Sequence, residues 1–131
     1  MSSNLIEILK NNSEVIHGQG VSIDKVKEAS KMLELTFSLD YIDYLEHFGI
    51  LAYDGHELTG LIGDDRTNVV YITKELWREN PLIPHNLYVI EDTGIDTIVV
   101  WQNEKGEIFQ SAVGLEPVKI CDSLIEFLFD Y

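Results

Sequence analysis

Within SLDYIDYLEHFGILAYDGHELTG (residues 38–60) the apolar pattern changes from helical to strand spacing, and this change restricts the chain to folds that mix the two. Ser38 has the residue type and position of a helix N-cap, with Phe37 and Ile42 placed as a hydrophobic staple around it. Gly49 stops the helix just after Phe48. From Ile50 the residues read as strand, and Asp54-Gly55 between two apolar runs is the signature of a tight hairpin reversal. On a helical projection Tyr41, Ile42, Leu45 and Phe48 form the expected core arc. Asp40, Asp43, Tyr44 and His47 form the outward one.

The same stretch begins the most acidic part of the chain. Residues 40–65 hold Asp40, Asp43, Glu46, Asp54, Glu57, Asp64 and Asp65 and no lysine or arginine. Over all 131 residues, 23 acidic side chains stand against 9 basic ones, a formal charge of −14. That field repels phosphate, so nucleic acid and anionic membrane surfaces are excluded as partners and a basic protein surface is favoured. Part of the acidity has a local explanation, because aspartates in the first helical turn favour the helix dipole.

Upstream, residues 4–11 predict a short amphipathic helix with Leu5, Ile8 and Leu9 on its apolar side. Asn11 to Gly20 reads as a connection. A second helix, capped by Ser22 with Val21 and Val26 as its staple, places Ile23, Val26, Ala29 and Leu33 on one face. Downstream, residues 63–68 read as a polar loop and Val69–Ile72 as a short β-branched run. Thr73 is placed to cap a brief helix that Asn80-Pro81 ends. Leu87–Glu91, Thr97–Gln102 and Glu107–Val113 predict a meander, with Glu116–Ile120 as an edge strand that can accept Pro117. Trp101, alternating with Val100, falls on a core face. A final helix from Ser123 to about Asp130 is apolar nearly all round and must be covered. The expected class is α+β: one domain, N-terminal helices and a C-terminal helix on a mainly antiparallel sheet.

Chemistry is sparse. His17, His47, His56 and His85 show no metal-ligand spacing, and the lone Cys121 beside an apolar residue reads as a buried thiol. No nucleophile elbow or phosphate-binding loop occurs, so no catalytic residue, cofactor or metal is assigned. A single cysteine, with no basic start leading into an apolar run at the N-terminus, fits a reducing cytoplasm. No apolar run reaches the roughly 18 residues of a membrane span.

The helix–helix–glycine unit KVKEASKMLELTFSLDYIDYLEHFG, the later run IEDTGIDTIVVWQNEKGEIF and the Phe127–Tyr131 helix end resemble the SUKH superfamily, whose members are mostly bacterial immunity proteins of polymorphic toxin systems. The resemblance covers residues 21–131, after an N-terminal helix and linker in residues 1–20. It departs at Leu35–Ser38, where a Leu-Pro is common, and at Phe48–Ile50, where Asn-Gly is frequent. It implies a non-catalytic protein that inhibits a cognate secreted toxin, such as a nuclease or another basic domain, by direct binding. Asp40, Asp43, Tyr44, His47, Asp54, Glu57, Asp64, Asp65, Glu91, Asp92 and Asp96 are the expected partner-binding residues. The acids would steer association, and Tyr44 would supply a buried anchor. A regulatory or scaffolding module of the same fold is the alternative, and a small carboxylate-based hydrolase a weaker one.

Overall fold

The computed structural model describes residues 2–131, with side chains from Leu5 onward. Three helices open the chain: α1 (Ser2–Lys10), α2 (Ile23–Leu33) and α3 (Leu39–His47). Ser22 and Ser38 cap α2 and α3 as expected, each side chain accepting from the backbone N–H three residues on. In α1 the buried set is Leu5, Ile6 and Leu9, while Ile8 is exposed, a rotation of the apolar face from the expected one. In α2, Val26, Ala29 and Leu33 are buried and Ile23 is left exposed at the helix start.

Between α1 and α2 a two-residue strand β1 (Ile16–His17) lies inside the stretch expected to be only a connection. It pairs with β2 (Leu51–Tyr53), which pairs in turn with β3 (His56–Leu58) through the Asp54-Gly55 reversal. Both turn residues have positive φ, 49° and 84°, as a two-residue hairpin turn of this hand requires. β1 was not legible because a strand this short has no periodicity of its own; it forms to satisfy the open edge of β2.

The exit from β3 is locked to the end of α3. Gly49 has φ +73°. A Cβ on Gly60 would lie 1.6 Å from the Gly49 carbonyl oxygen. Leu61 N–H donates to that same carbonyl at 3.1 Å. Only glycine lets the two backbones meet this closely.

Helix α4 (Val69–Glu79) replaces the expected strand-then-helix reading of residues 69–78. Asn68, not Thr73, is the cap, its Oδ1 accepting from Val70 and Tyr71 N–H. Val69, Val70, Ile72 and Thr73 are buried, so tertiary packing overrides the β preference of the branched run. Thr73 instead accepts the Val89 N–H at 3.0 Å, satisfying a strand-edge donor.

The meander follows as an antiparallel sheet of β4 (Tyr88–Asp92), β5 (Val99–Gln102), β6 (Ile108–Ser111) and β7 (Val118–Cys121). A bulge at Ile90 shifts the β4–β5 register, so Glu91 pairs with Val100 and Asp92 with Val99. The two sheets meet where Thr59 N–H donates to the Ile90 carbonyl at 2.8 Å and the Thr59 hydroxyl donates to that of Val89. Helix α5 (Leu124–Phe129), capped by Ser123, closes the chain.

One face of the larger sheet (Tyr88, Ile90, Val100, Ile108, Cys121) packs with α1, α3 and α5 in the main core. Val89, Val99 and Trp101 point the other way and form a second cluster with Ile72, Ile83 and Leu87. Burial raises the Cys121 thiol to about 11, so it is not a nucleophile near neutral pH. No helix among the described residues is long and apolar enough to cross a membrane.

Candidate functional site

Helix α3 places its residues differently from the projection. Tyr44 is 0% exposed, packed at a tilt against Tyr41 and Phe48, and its hydroxyl donates to the Thr59 carbonyl at 2.8 Å. Its expected role as a surface anchor is therefore corrected: it is core. Ile42 is half-buried beside Phe37 in its place. Tyr44 holds a central position because its hydroxyl reaches a backbone acceptor that would otherwise be unpaired.

Asp40 is committed to internal bonds. It accepts from the Ser38 hydroxyl, from Gln102 Nε2 at 3.2 Å and from the Leu124 N–H at 3.2 Å, joining α3 to β5 and to the start of α5. The network continues inward: Ser38 N–H donates to the Tyr88 hydroxyl, which donates to Gln102 Oε1. Asp40 thus acts as a brace rather than as a free docking charge. Asp43 and His47 lie on the outer side of α3, half-buried and exposed respectively, with His47 Nδ1 2.8 Å from the Asp43 carbonyl.

Glu91 is also corrected. It is 5% exposed, and both oxygens are used, Oε1 facing His56 Nδ1 at 2.9 Å and Oε2 accepting from the Glu57 N–H at 2.8 Å. The Ile90 bulge accounts for this by turning Glu91 onto the helix-covered face. There the carboxylate ties the β2–β3 hairpin to β4, and His56 packs on Phe127.

That tie sets the geometry of the remaining acids. It holds the hairpin tip beside the end of β4, so exposed Asp54 and Glu57 share one end of the strand array with half-buried Asp92 and exposed Asp96. Asp64 and Asp65 are exposed in the loop before α4, and Asp64 caps that loop by accepting from Arg66 N–H. They are not part of the same group.

The end carrying Asp92 and Asp96 also exposes apolar side chains that sequence reasoning missed. Ile95 is 65% exposed, Val113 59% and Leu115 60%. The two loops that carry them are joined by Val113 N–H donating to Thr97 Oγ1, and Asn80 holds the second loop by donating to the Ala112 and Leu115 carbonyls. Val113 closed the expected strand Glu107–Val113, so the only signal was Leu115, an apolar residue between Gly114 and Glu116. Exposed apolar side chains in loops that share an end with exposed acids have the composition of a protein-binding patch. Among the described residues, no group of three or more His, Cys, Asp or Glu side chains could hold a metal ion.

A family model described as SUKH_5: SMI1-KNR4 cell-wall matches residues 2–131. No curated protein matches the chain. With the family model spanning nearly every residue, the chain belongs to the SUKH superfamily.

Proposed function

We propose that this SUKH-superfamily chain is a cytoplasmic immunity protein that binds a cognate secreted toxin, a nuclease or another basic toxin domain, and neutralises it without catalysis. The docking surface is the loop end of the strand array, which carries Asp54, Glu57, Asp92 and Asp96 together with Ile95, Val113 and Leu115. The carrying observation is that exposed apolar side chains (Ile95, Val113, Leu115) and exposed acids (Asp54, Glu57, Asp96) lie at the same end of the strands, on a chain of formal charge −14. Acids at the rim raise the association rate of a basic partner, and apolar residues at the centre hold it. Asp43, His47, Asp64 and Asp65 lie outside this patch, and the three aspartates contribute to the long-range field.

Co-expression with the protein encoded beside this gene tests the reading. Cells carrying both are expected to grow, and cells carrying the neighbour alone to die; equal toxicity with and without this chain would contradict it. With the purified pair, the association rate is expected to fall about tenfold or more between low and physiological-to-high salt, because screening removes the steering.

A second reading has one observation in its favour, the reference to the cell wall in the family's description. A non-catalytic regulatory or scaffolding module would recover a stable endogenous partner from toxin-free cells, which an immunity protein would not.

A further inference from the structure

We propose that the cavity between α4 and the outer face of the β4–β7 sheet is a socket for one arginine side chain of the bound partner. This assignment rests on the docking reading above and names what the partner inserts. The cavity measures about 210 Å³, smaller than the roughly 300–1,000 Å³ of pockets for drug-sized ligands and suited to a single side chain. It opens at the loop end, since Asp92, Thr97 and Val113 line it.

Its walls and its polar groups select for different parts of the same ligand. Leu76, Val99 and Val113 supply apolar surface for an aliphatic stem. Glu79 and Asp92 are the only charged residues among those that line it. Asp92 Oδ1 accepts from the Gly94 N–H at 3.3 Å, and its second oxygen has no donor among the described residues.

Ser111 adds a buried polar group to the lining. It is 6% exposed, lines the cavity, and its Oγ accepts the Trp101 indole N–H at 2.8 Å. Among the described residues its hydroxyl proton is given to nothing, and one lone pair is unused. The spare polar capacity here is the oxygens of two carboxylates, which only accept, together with the Ser111 and Thr97 hydroxyls, each able to donate or accept. A guanidinium has five N–H donors and no acceptor, and it meets separated acceptors at fixed angles. Other occupants fit less well. A divalent ion lacks a third carboxylate or imidazole ligand. A sugar would stack on an aromatic face, and Trp101, 1% exposed, offers none.

The test is a titration of the ¹⁵N-labelled full chain with N-acetyl-arginine methylamide, with the citrulline analogue as an uncharged control of the same shape. Saturable shifts are expected at the Trp101 indole N–H and at the Ser111 and Val113 amides, with the citrulline analogue binding about tenfold or more weakly. The double variant E79Q/D92N keeps the Gly94 hydrogen bond through its amide oxygen and should reduce arginine binding to the citrulline level. Equal binding of the two probes, shifts confined to other residues, or no saturable shift would overturn the assignment. If the arginine probe binds but co-expression gives no protection, the socket stands and the immunity reading fails. Protection without probe binding gives the reverse.

Discussion

Replacing Tyr44 with alanine is expected to lower the stability of the chain by about 3–5 kcal/mol, the range for truncating a fully buried aromatic ring. The ring touches Tyr41 and Phe48, and its removal leaves a void beneath α3. It also strands the Thr59 carbonyl, which receives the Tyr44 hydroxyl at 2.8 Å. Tyr44→Phe isolates the second loss and should cost about 1–3 kcal/mol, the penalty of an orphaned buried acceptor. An outward tyrosine would give at most about 0.5 kcal/mol in either variant. Urea unfolding at neutral pH separates the two cases, and a Tyr44→Ala midpoint near that of the parent chain would contradict the packing described.

Stability should fall steeply above pH 10. Burial raises Tyr41, Tyr44 and Tyr88 well above their ordinary value of 10.0. In the folded chain these phenols keep their protons above pH 10, while in the unfolded chain they release them. The unfolded state then binds fewer protons, so raising the pH favours unfolding. Below pH 10 the three contribute no pH dependence. Each group supplies about 1.4 kcal/mol per pH unit, so the three together give about 4 kcal/mol per unit until unfolding. Cys121, raised from 9.0 to about 11, brings the onset down to about pH 9. Urea midpoints measured from pH 8 to 11.5 read this directly. Tyr88→Phe should flatten the slope by about a third, and a midpoint unchanged between pH 10 and 11.5 would show that the phenols are not held as described.

The local devices were legible because they act within a few residues. Ser22, Ser38 and Ser123 cap their helices, Gly49 stops α3, and Asp54-Gly55 turns the hairpin. Most of what failed required partners distant in the chain, and Tyr44 is the exception. On α3, 3.6 residues per turn put Tyr44 about 60° from Tyr41 and Ile42 about 100° away. The arc therefore favoured Tyr44, and its acidic neighbours drew it outward in the reading. Val69–Ile72 has a strand's composition, and only burial against the sheet makes it helical.

The carboxylates were the hardest to sort. Asp40 is fixed by Gln102 and Leu124, and Glu91 by His56 and Glu57, none of which a local pattern can pair with them. Their commitment to the fold leaves Asp54, Glu57, Asp92 and Asp96 as the expected docking acids that lie at the loop end. The SUKH fold could be read from helix order and strand spacing, whereas the patch depended on which loops meet.

The most direct test of that patch is the affinity for the neighbouring toxin of two triple variants with the same net charge. One, D54N/D92N/D96N, removes three charges from the loop end; the other, D43N/D64N/D65N, removes three outside it. The docking account predicts that the first weakens binding about 100-fold or more and the second only a few-fold, since close interfacial pairs contribute far more than distant charges. Equal losses in both, or a larger loss in the second, would place the partner on another face of the molecule.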